Sequence, residues 1–315
     1  MTMLPASIAE ASAALRELPG PAMILGAGTK QRFSAEHVIG TARLDRVVEY
    51  VPADQVITAE AGVTLQALQA ELSRNGQRLS LDPPFAARAT IGGIVAAASS
   101  GPLRARYGAV RDLIIGATMV RPDGVVAKGG GKVVKNVAGF DLPKLLCGSF
   151  GTLGLVATAT FRVHPLPEAT AVLRAVQLSS AGVLEQVRRL RALQLEPSAL
   201  LATRRGPGLF DLDLLFEGFE KSLQQQLGKL PELQRVDRAA FDEHARQREA
   251  CVAFAALPTE LALHEPRVQG AFSWYPTLGL GFCDGPAQER PIPSLALHRA
   301  IKQRFDPRGL LPSLV

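Results

Sequence analysis

The sequence predicts an α+β protein of two domains, the second a small antiparallel unit of ferredoxin-like order. Three observations predict it. The chain has 315 residues, which at ordinary domain sizes makes about two domains. It is 47% hydrophobic and 20% charged, a composition that can fill a core and is too apolar for a disordered chain. The texture then changes at Pro165 and Pro167. Upstream, short strands and helices alternate and are punctuated by glycine. Downstream the order reads β-α-β-β-α-β. The division is therefore placed between residues 168 and 169, giving domains at 1–168 and 169–315.

Taken in order, Ser7 and Glu10 form a capping-box pattern that opens a helix running to about Leu18, and Pro19-Gly20-Pro21 stops it. Residues 22–25 (AMIL) read as a buried strand leading into the glycine turn 26–29. Strands follow near 47–51 and 56–61. Thr64 caps the next helix, Val63 and Leu68 are spaced as a hydrophobic staple, and Leu65, Leu68 and Leu72 make its apolar stripe. Asn75-Gly76 closes it. Residues 90–101 (TIGGIVAAASSG) are small almost throughout, which lets something large approach the backbone. RPDG at 121–124 turns a hairpin, a short helix lies near 142–146, and a strand runs over 154–164. The second domain reads strand 171–178, helix 181–194, strands 198–203 and 209–216, helix 217–229 and strand 233–237. More strands and an amphipathic helix near 294–305 complete the chain.

Composition excludes several functions. No window of about 20 residues is apolar and uncharged, so no spanning helix is expected, and the N-terminus lacks the basic start and apolar run of a secretory leader. The net charge of +6 comes mainly from arginine, but only 5% of residues are aromatic. The densest basic stretch, 187–195, has the spacing of a solvated helix face, so nucleic-acid binding is not expected. Cys147, Cys251 and Cys283 lie far apart, and His37, His164, His244, His264 and His298 are isolated. No metal or iron–sulfur ligand set can be assembled from them.

Three glycine clusters stand out: 26–29 (GAGT), Gly92-Gly93 with Gly101 and Gly108, and 148–154 (GSFGTLG). Glycine lets backbone N–H groups approach phosphate oxygens. Several such turns in one domain predict a long ligand lying across them. The common nucleotide fingerprints fail at specific residues. Gln31 stands where the third glycine of G-x-G-x-x-G belongs. Around Gly131-Lys132, Val126 and Val133 replace the first glycine and the Ser/Thr of a P-loop.

The ordered set ILGAGTKQRF (24–33), ITAEAGVTLQALQ (57–69), LDPP (81–84), TIGGIVAAASSGPLRARYGAVRD (90–112), KVVKNVAGFDLPKLLCGSFGTLG (132–154) and FDPRGLLPS (305–313) resembles the PCMH-type FAD-binding fold of the vanillyl-alcohol oxidase and lactate/glycolate dehydrogenase group. Residues 133–154 are similar more narrowly to the FAD-binding E-subunit family of bacterial glycolate oxidases. The resemblance implies a two-lobed FAD domain followed by the α+β cap. It implies a first pyrophosphate turn at Gly26, Ala27, Gly28, Thr29 and Lys30, and a second at Thr90, Ile91, Gly92 and Gly93. Pro83, Ser99, Ser100 and Gly101 would lie beside the flavin, Tyr107 and Gly108 would end the loop, and Val156 would meet the adenine end. Covalent members carry a histidine or cysteine near the first glycine turn or later; here Thr29 follows Gly28 and that loop has no cysteine, so the FAD is expected to be non-covalent. Leu311-Pro312-Ser313 replaces the usual N-P-G of the closing motif.

Oxidising a 2-hydroxy acid requires a cationic clamp for the carboxylate and a base for the hydroxyl proton. The paired-histidine motif that supplies the base in active relatives does not occur here, and no catalytic residue is assigned. Arg104 and Arg106 could touch phosphate or substrate, or be surface charges. Lys135 and Asp141 could orient the NVAGF loop, or form a structural pair. The expectation is an accessory FAD-binding subunit of a multi-subunit glycolate (2-hydroxy-acid) oxidase. A larger catalytic FAD-binding subunit and an iron–sulfur subunit would be its partners, at the cytoplasmic face of a membrane without a span of its own. The alternatives are a stand-alone FAD-dependent oxidoreductase and a flavin-less scaffold.

Overall fold

The computed structural model describes residues 1–30, 32–131, 140–247, 249, 251–255, 257, 270–284 and 294–314. Gln31, Lys132, Val133, Lys135 and His264 of the sequence reading lie outside the described residues, as does the side chain of His244.

The chain forms two compact units that are not consecutive segments. The first comprises Met1–Ser100, Gly108–Leu166 and Pro291–Val315, and the second Gly101–Tyr107 and Pro167–Arg290. The last helix thus packs with the first unit, and the short segment 101–107 with the second.

The first unit has two lobes. Strands β1 (Thr2–Met3), β2 (Ala22–Leu25) and β3 (His37–Gly40) pair in parallel in the order β1-β3-β2. Helix α1 (Ile8–Arg16) is capped by Ser7, whose hydroxyl accepts the Glu10 N–H at 3.1 Å. The Glu10 carboxylate reaches the Ala6 N–H rather than that of the cap residue. The helix ends two residues before the expected Leu18. Ala11, Leu15, Ala22, Ile39 and Leu44 make the core of this lobe, together with Leu310 and Leu311 from the far end of the chain.

The second lobe is an antiparallel five-stranded sheet. Strands β4 (Val47–Val51), β5 (Val56–Glu60), β7 (Ile114–Val120), β8 (Val126–Gly130) and β9 (Leu155–Arg162) lie in the order β4-β5-β9-β7-β8. Helix α2 (Leu65–Ser73) presents Leu65, Leu68 and Leu72 to its core, as the leucine spacing requires. Each such side chain contributes about 1.5–3 kcal/mol on leaving water. Gly76, at φ +64°, follows that helix. Strands β6 (Gln77–Arg78) and β10 (His164–Pro165) pair antiparallel, so Pro165 belongs to a short ladder and not to a free linker.

The small-residue stretch folds as helix α3 (Ile91–Ala97), capped by Thr90. Two adjacent glycines cost a helix about 1 kcal/mol each, and that intrinsic penalty hides this helix from a propensity reading. Packing overrides it. Short helices α5 (Val110–Leu113) and α6 (Leu142–Leu146) complete this lobe.

The second unit carries the expected motif. Strands β11 (Ala169–Leu178), β12 (Ala199–Gly206), β13 (Leu209–Gly218) and β14 (Gln234–Val236) run antiparallel in the order β14-β11-β13-β12. Helices α7 (Ser180–Ala192) and α8 (Glu220–Leu227) cover one face through Val183, Val187, Leu190 and Leu223. Strands β15 (Val252–Ala255), β16 (Phe272–Tyr275) and β17 (Leu280–Cys283) extend the sheet beyond β12 in the order β16-β17-β15. The other face is not bare. Phe241 from helix α9 (Arg238–Gln247) packs there, and so does Leu103, which precedes helix α4 (Arg104–Tyr107).

Candidate functional site: a cleft lined by glycine turns

The first unit contains an open cleft of about 770 Å³, its mouth included. Its walls come from three loci. The first is the end of β2 and the turn after it, Gly26 to Lys30. The second is α3, through Thr90, Gly92 and Gly93. The third is the loop before β9, through Phe150, Gly151 and Gly154, with Val156 behind it.

The first turn is built to donate. Gly28 sits at φ +72°, in the left-handed region that favours glycine. Ala27 and Gly28 are exposed, and the N–H groups of Ala27, Gly28 and Thr29 have no partner among the described residues. Successive unpaired N–H groups of this kind suit an anion. Gly26 is required for another reason: a Cβ there would overlap the Thr90 hydroxyl, so this residue closes the floor between the two walls.

The second turn is different. The Ile91 N–H donates to the Val63 carbonyl at 2.8 Å and the Gly92 N–H to the Ala61 carbonyl at 2.8 Å. Only the Gly93 N–H makes a long bond, 3.4 Å, to the Thr90 hydroxyl. A Cβ on Gly92 would lie 2.6 Å from that of Ala61. This segment therefore offers close approach and no spare donors at Ile91 and Gly92.

The third wall is a tight turn. Phe150 and Gly151 have φ of +50° and +74°, and the Thr152 N–H closes the turn on the Ser149 carbonyl at 2.9 Å. It is pinned to α3 by the Phe150 N–H donating to the Ala96 carbonyl at 2.9 Å. The Arg32 guanidinium lies 4.1 Å from the centre of the Phe150 ring, a cation–π geometry. Lys30 stands 5.9 Å from the Phe85 ring centre.

The chemistry of this lining fits a dinucleotide. Lys30 and Arg32 line it, and among the described residues no carboxylate, cysteine or histidine does. Thr41 also lines it, is 3% exposed, and its hydroxyl has no hydrogen-bond partner among the described residues. A buried hydroxyl without a partner is costly, and a ligand group with hydrogen-bonding atoms would satisfy it.

Of the residues named from sequence, Gly26, Ala27, Gly28, Thr29, Lys30, Thr90, Gly92, Gly93 and Val156 line the cleft together. Ile91 is buried in the core behind it. Pro83, Ser99, Ser100 and Gly108 belong to the same unit without lining the cleft. Gly101 and Tyr107 belong to the second unit, where the Tyr107 hydroxyl donates to Glu217 at 3.3 Å. Thr41, Arg32 and Phe33 were missed. Thr41 follows β3, a four-residue parallel strand with too little periodicity to be read.

The remaining candidates have structural roles. Arg106 donates to the Glu196 carbonyl at 3.0 Å. Asp141 caps α6, accepting the Lys144 N–H, and pairs with the Lys144 ammonium at 2.8 Å. These bonds hold its carboxyl below the usual range. Burial pushes the Cys147 thiol up to about 12, so it is a protonated packing group at neutral pH. His164 is held neutral by burial and by Arg162 and Arg78. His298 is exposed on helix α10 (Leu295–Phe305). Arg188 and Arg189 on α7 pair with Glu185 and Glu232, as a solvated face does. Among the described residues, no group of three or more potential ligands could hold a metal ion. No helix there is long and apolar enough to cross a membrane.

Comparison with known proteins agrees with this geometry. Residues 1–130 match the family described as an FAD binding domain. The chain is 38% identical over 152 residues to glycolate oxidase subunit GlcE of Escherichia coli (strain K12), covering 48% of this chain and 42% of that one. It is 30% identical over 230 residues to the probable mitochondrial D-lactate dehydrogenase of Danio rerio, covering 65% and 45% respectively. It spans less than half the length of these relatives. A solved structure of alkyldihydroxyacetonephosphate synthase superposes on 98% of this chain and 75% of its own, with a TM-score of 0.75 at 16% identity, a likeness of fold alone. The match of residues 1–130 to an FAD binding domain agrees with the PCMH-type fold that the motif order indicated.

Proposed function

We propose that the chain is the accessory FAD-binding subunit of a multi-subunit glycolate (2-hydroxy-acid) oxidase that converts glycolate to glyoxylate. Bound FAD would supply the acceptor for two electrons. The observation that carries the accessory reading is the lining of the cleft. It holds cations, glycines and unpaired N–H groups, and among the described residues no histidine or carboxylate to take a hydroxyl proton. The residues that would hold the dinucleotide are the turn Ala27–Thr29 through its N–H groups, Lys30 and Arg32 through charge, and Thr41 through its hydroxyl. That no cysteine or histidine lines the cleft among the described residues supports non-covalent attachment.

In this reading the base and the electron exit lie on partners: a larger catalytic FAD-binding subunit and a cysteine-rich iron–sulfur subunit, at the inner face of a membrane. The similarity to a protein named as a glycolate oxidase subunit supports that placement. The test has two parts. The purified chain should show a flavin absorption spectrum, and acid precipitation should leave the flavin in the supernatant. Glycolate-dependent dye reduction should be negligible for the chain alone and appear on reconstitution with both partners. Robust turnover by the chain alone would reject the accessory role in favour of a stand-alone oxidoreductase. A colourless chain that takes up no FAD would leave only a scaffold.

A further inference from the structure

Two segments that adjoin the cleft are tied together by a residue from the far end of the sequence. Lys302, on α10, has its side chain 15% exposed. It donates to the Thr152 carbonyl at 2.8 Å, to the Asp306 carboxylate at 2.6 Å and to the Leu311 carbonyl at 2.9 Å. All three of its donors are therefore used. Asp306 is 3% exposed and also accepts the Leu310 and Leu311 N–H groups at 3.1 and 2.8 Å. The Leu310 carbonyl in turn accepts the Ala22 N–H at 2.8 Å, at the start of the strand that ends in the donating turn. One ammonium thus joins two walls of the cleft. Thr152 closes the turn that carries Phe150 and Gly151, and Leu310–Leu311 is fixed to β2.

A lysine on a flexible four-carbon stem loses much side-chain entropy when it is immobilised and partly desolvated. Packing alone does not call for that here, because Ile301 and Phe305 already seat α10 on the core and Leu310 and Leu311 already fill the other lobe. What the ammonium adds is position. It bonds a backbone carbonyl in a turn held at positive φ, about 150 residues away in sequence. We propose that Lys302, held by Asp306, is a positioning residue for the cleft. It sets the Phe150–Gly151 wall at the distance from the Ala27–Thr29 turn that FAD requires, so that affinity for the cofactor depends on it. This rests on the reading of the cleft as the FAD site.

The experiment uses the full chain stripped of flavin. Titration with FAD gives the dissociation constant, thermal melting of the apo form gives its stability, and the shape of the bound flavin's visible band reports its surroundings. Lys302→Met should weaken FAD on the order of tenfold or more, as expected from losing charge-assisted bonds that preorganise a site, and should alter the band shape. Lys302→Met/Asp306→Asn removes both charges, so no buried carboxylate is stranded. It keeps one acceptor oxygen, enough for one of the Leu310 and Leu311 N–H groups, so its apo melting temperature is read beside its affinity, and it should weaken FAD similarly. Ser12→Ala serves as a stability control. It deletes a buried bond to the Gly124 carbonyl in the same unit, and should lower the melting temperature while leaving affinity and band shape unchanged. If the single variant fails to fold, the double variant is read in its place. A folded variant that binds FAD with wild-type affinity and band shape would overturn the positioning role alone. A wild-type chain that takes up no FAD would overturn that role together with the reading of the cleft.

Discussion

Two glycine-rich segments meet in the lining of the cleft, and they use glycine for opposite purposes. At 26–29 the turn is exposed, Gly28 takes a left-handed conformation, and three consecutive N–H groups have no partner among the described residues. At 90–93 the N–H groups of Ile91 and Gly92 are spent on the carbonyls of Val63 and Ala61, and Gly92 lacks a Cβ because Ala61 occupies the space. Composition makes the two segments look alike. Tracing each backbone donor to its acceptor separates a segment that can hold a ligand from one that holds the fold.

The comparison breaks most visibly on a pair of acidic substitutions. Gly92→Glu would at first sight block a pyrophosphate, but its first effect is on Ala61. Forcing a side chain into that contact should cost about 1–3 kcal/mol or more, so the apo protein itself melts early and flavin is lost with the fold. Gly28→Asp places the same charge on an exposed turn, and aspartate tolerates positive φ better than most residues. The apo form should melt within a degree or two of wild type while FAD affinity falls by roughly two orders of magnitude, through charge repulsion at an anion site. Melting and titration of both variants decide it. If Gly28→Asp unfolds the chain while Gly92→Glu merely loses flavin, the assignment of the two segments is reversed.

Thr41 sharpens the comparison on a smaller scale. Its hydroxyl is buried without a partner among the described residues, so it weakens the apo protein unless a ligand satisfies it. Thr41→Val keeps the shape and deletes the hydroxyl. The apo form should be as stable as wild type or slightly more so, and FAD affinity should fall about five- to tenfold, the scale of about 1 kcal/mol for one net hydrogen bond. Loss of apo stability with unchanged affinity would assign the hydroxyl to the fold.

Much of this was legible in the sequence, and the failures share a cause. The β-α-β-β-α-β order survived because its strands are apolar runs of three to ten residues with cap and turn signals between them, even though β13, buried on both faces, shows no alternation. The caps at Ser7 and Thr64 were readable because capping is local. Helix α3 was not, because its glycines oppose the helix intrinsically and only tertiary and cap contacts, Gly92 against Ala61 and Gly93 against the Thr90 hydroxyl, justify them. The short parallel strands β1 and β3 were not, because their partners are remote. In the site, the donating turn could be named from Gly26 and Gly28, whereas Thr41 is one threonine among many until its burial is known. The role of Lys302 depends on Thr152, which no local pattern connects to it.

The smallest expected effect lies on the structural side of the comparison and concerns acid. Glu60 ends β5, next to Ala61, and is 2% exposed. Burial alone would raise its carboxyl, but three bonds from Arg46 outweigh it: the backbone N–H at 3.0 Å, Nε at 3.2 Å and Nη2 at 2.9 Å. The net direction is downward. A carboxyl depressed in the folded state binds its proton more readily in the unfolded chain. Its contribution is therefore complete above the unfolded value of about 4.3 and fades as pH falls from there through the folded value. Glu60→Gln keeps the shape and removes the charge. Urea midpoints should drop less for this variant than for wild type as pH falls from about 5 to about 3, the window in which the unfolded carboxylate takes up its proton while the folded one resists it. The drop should be modest, because Arg46 is largely exposed and solvent screens the pair. Equal drops in the two proteins would show that the strand holding Ala61 against Gly92 owes nothing to this charge.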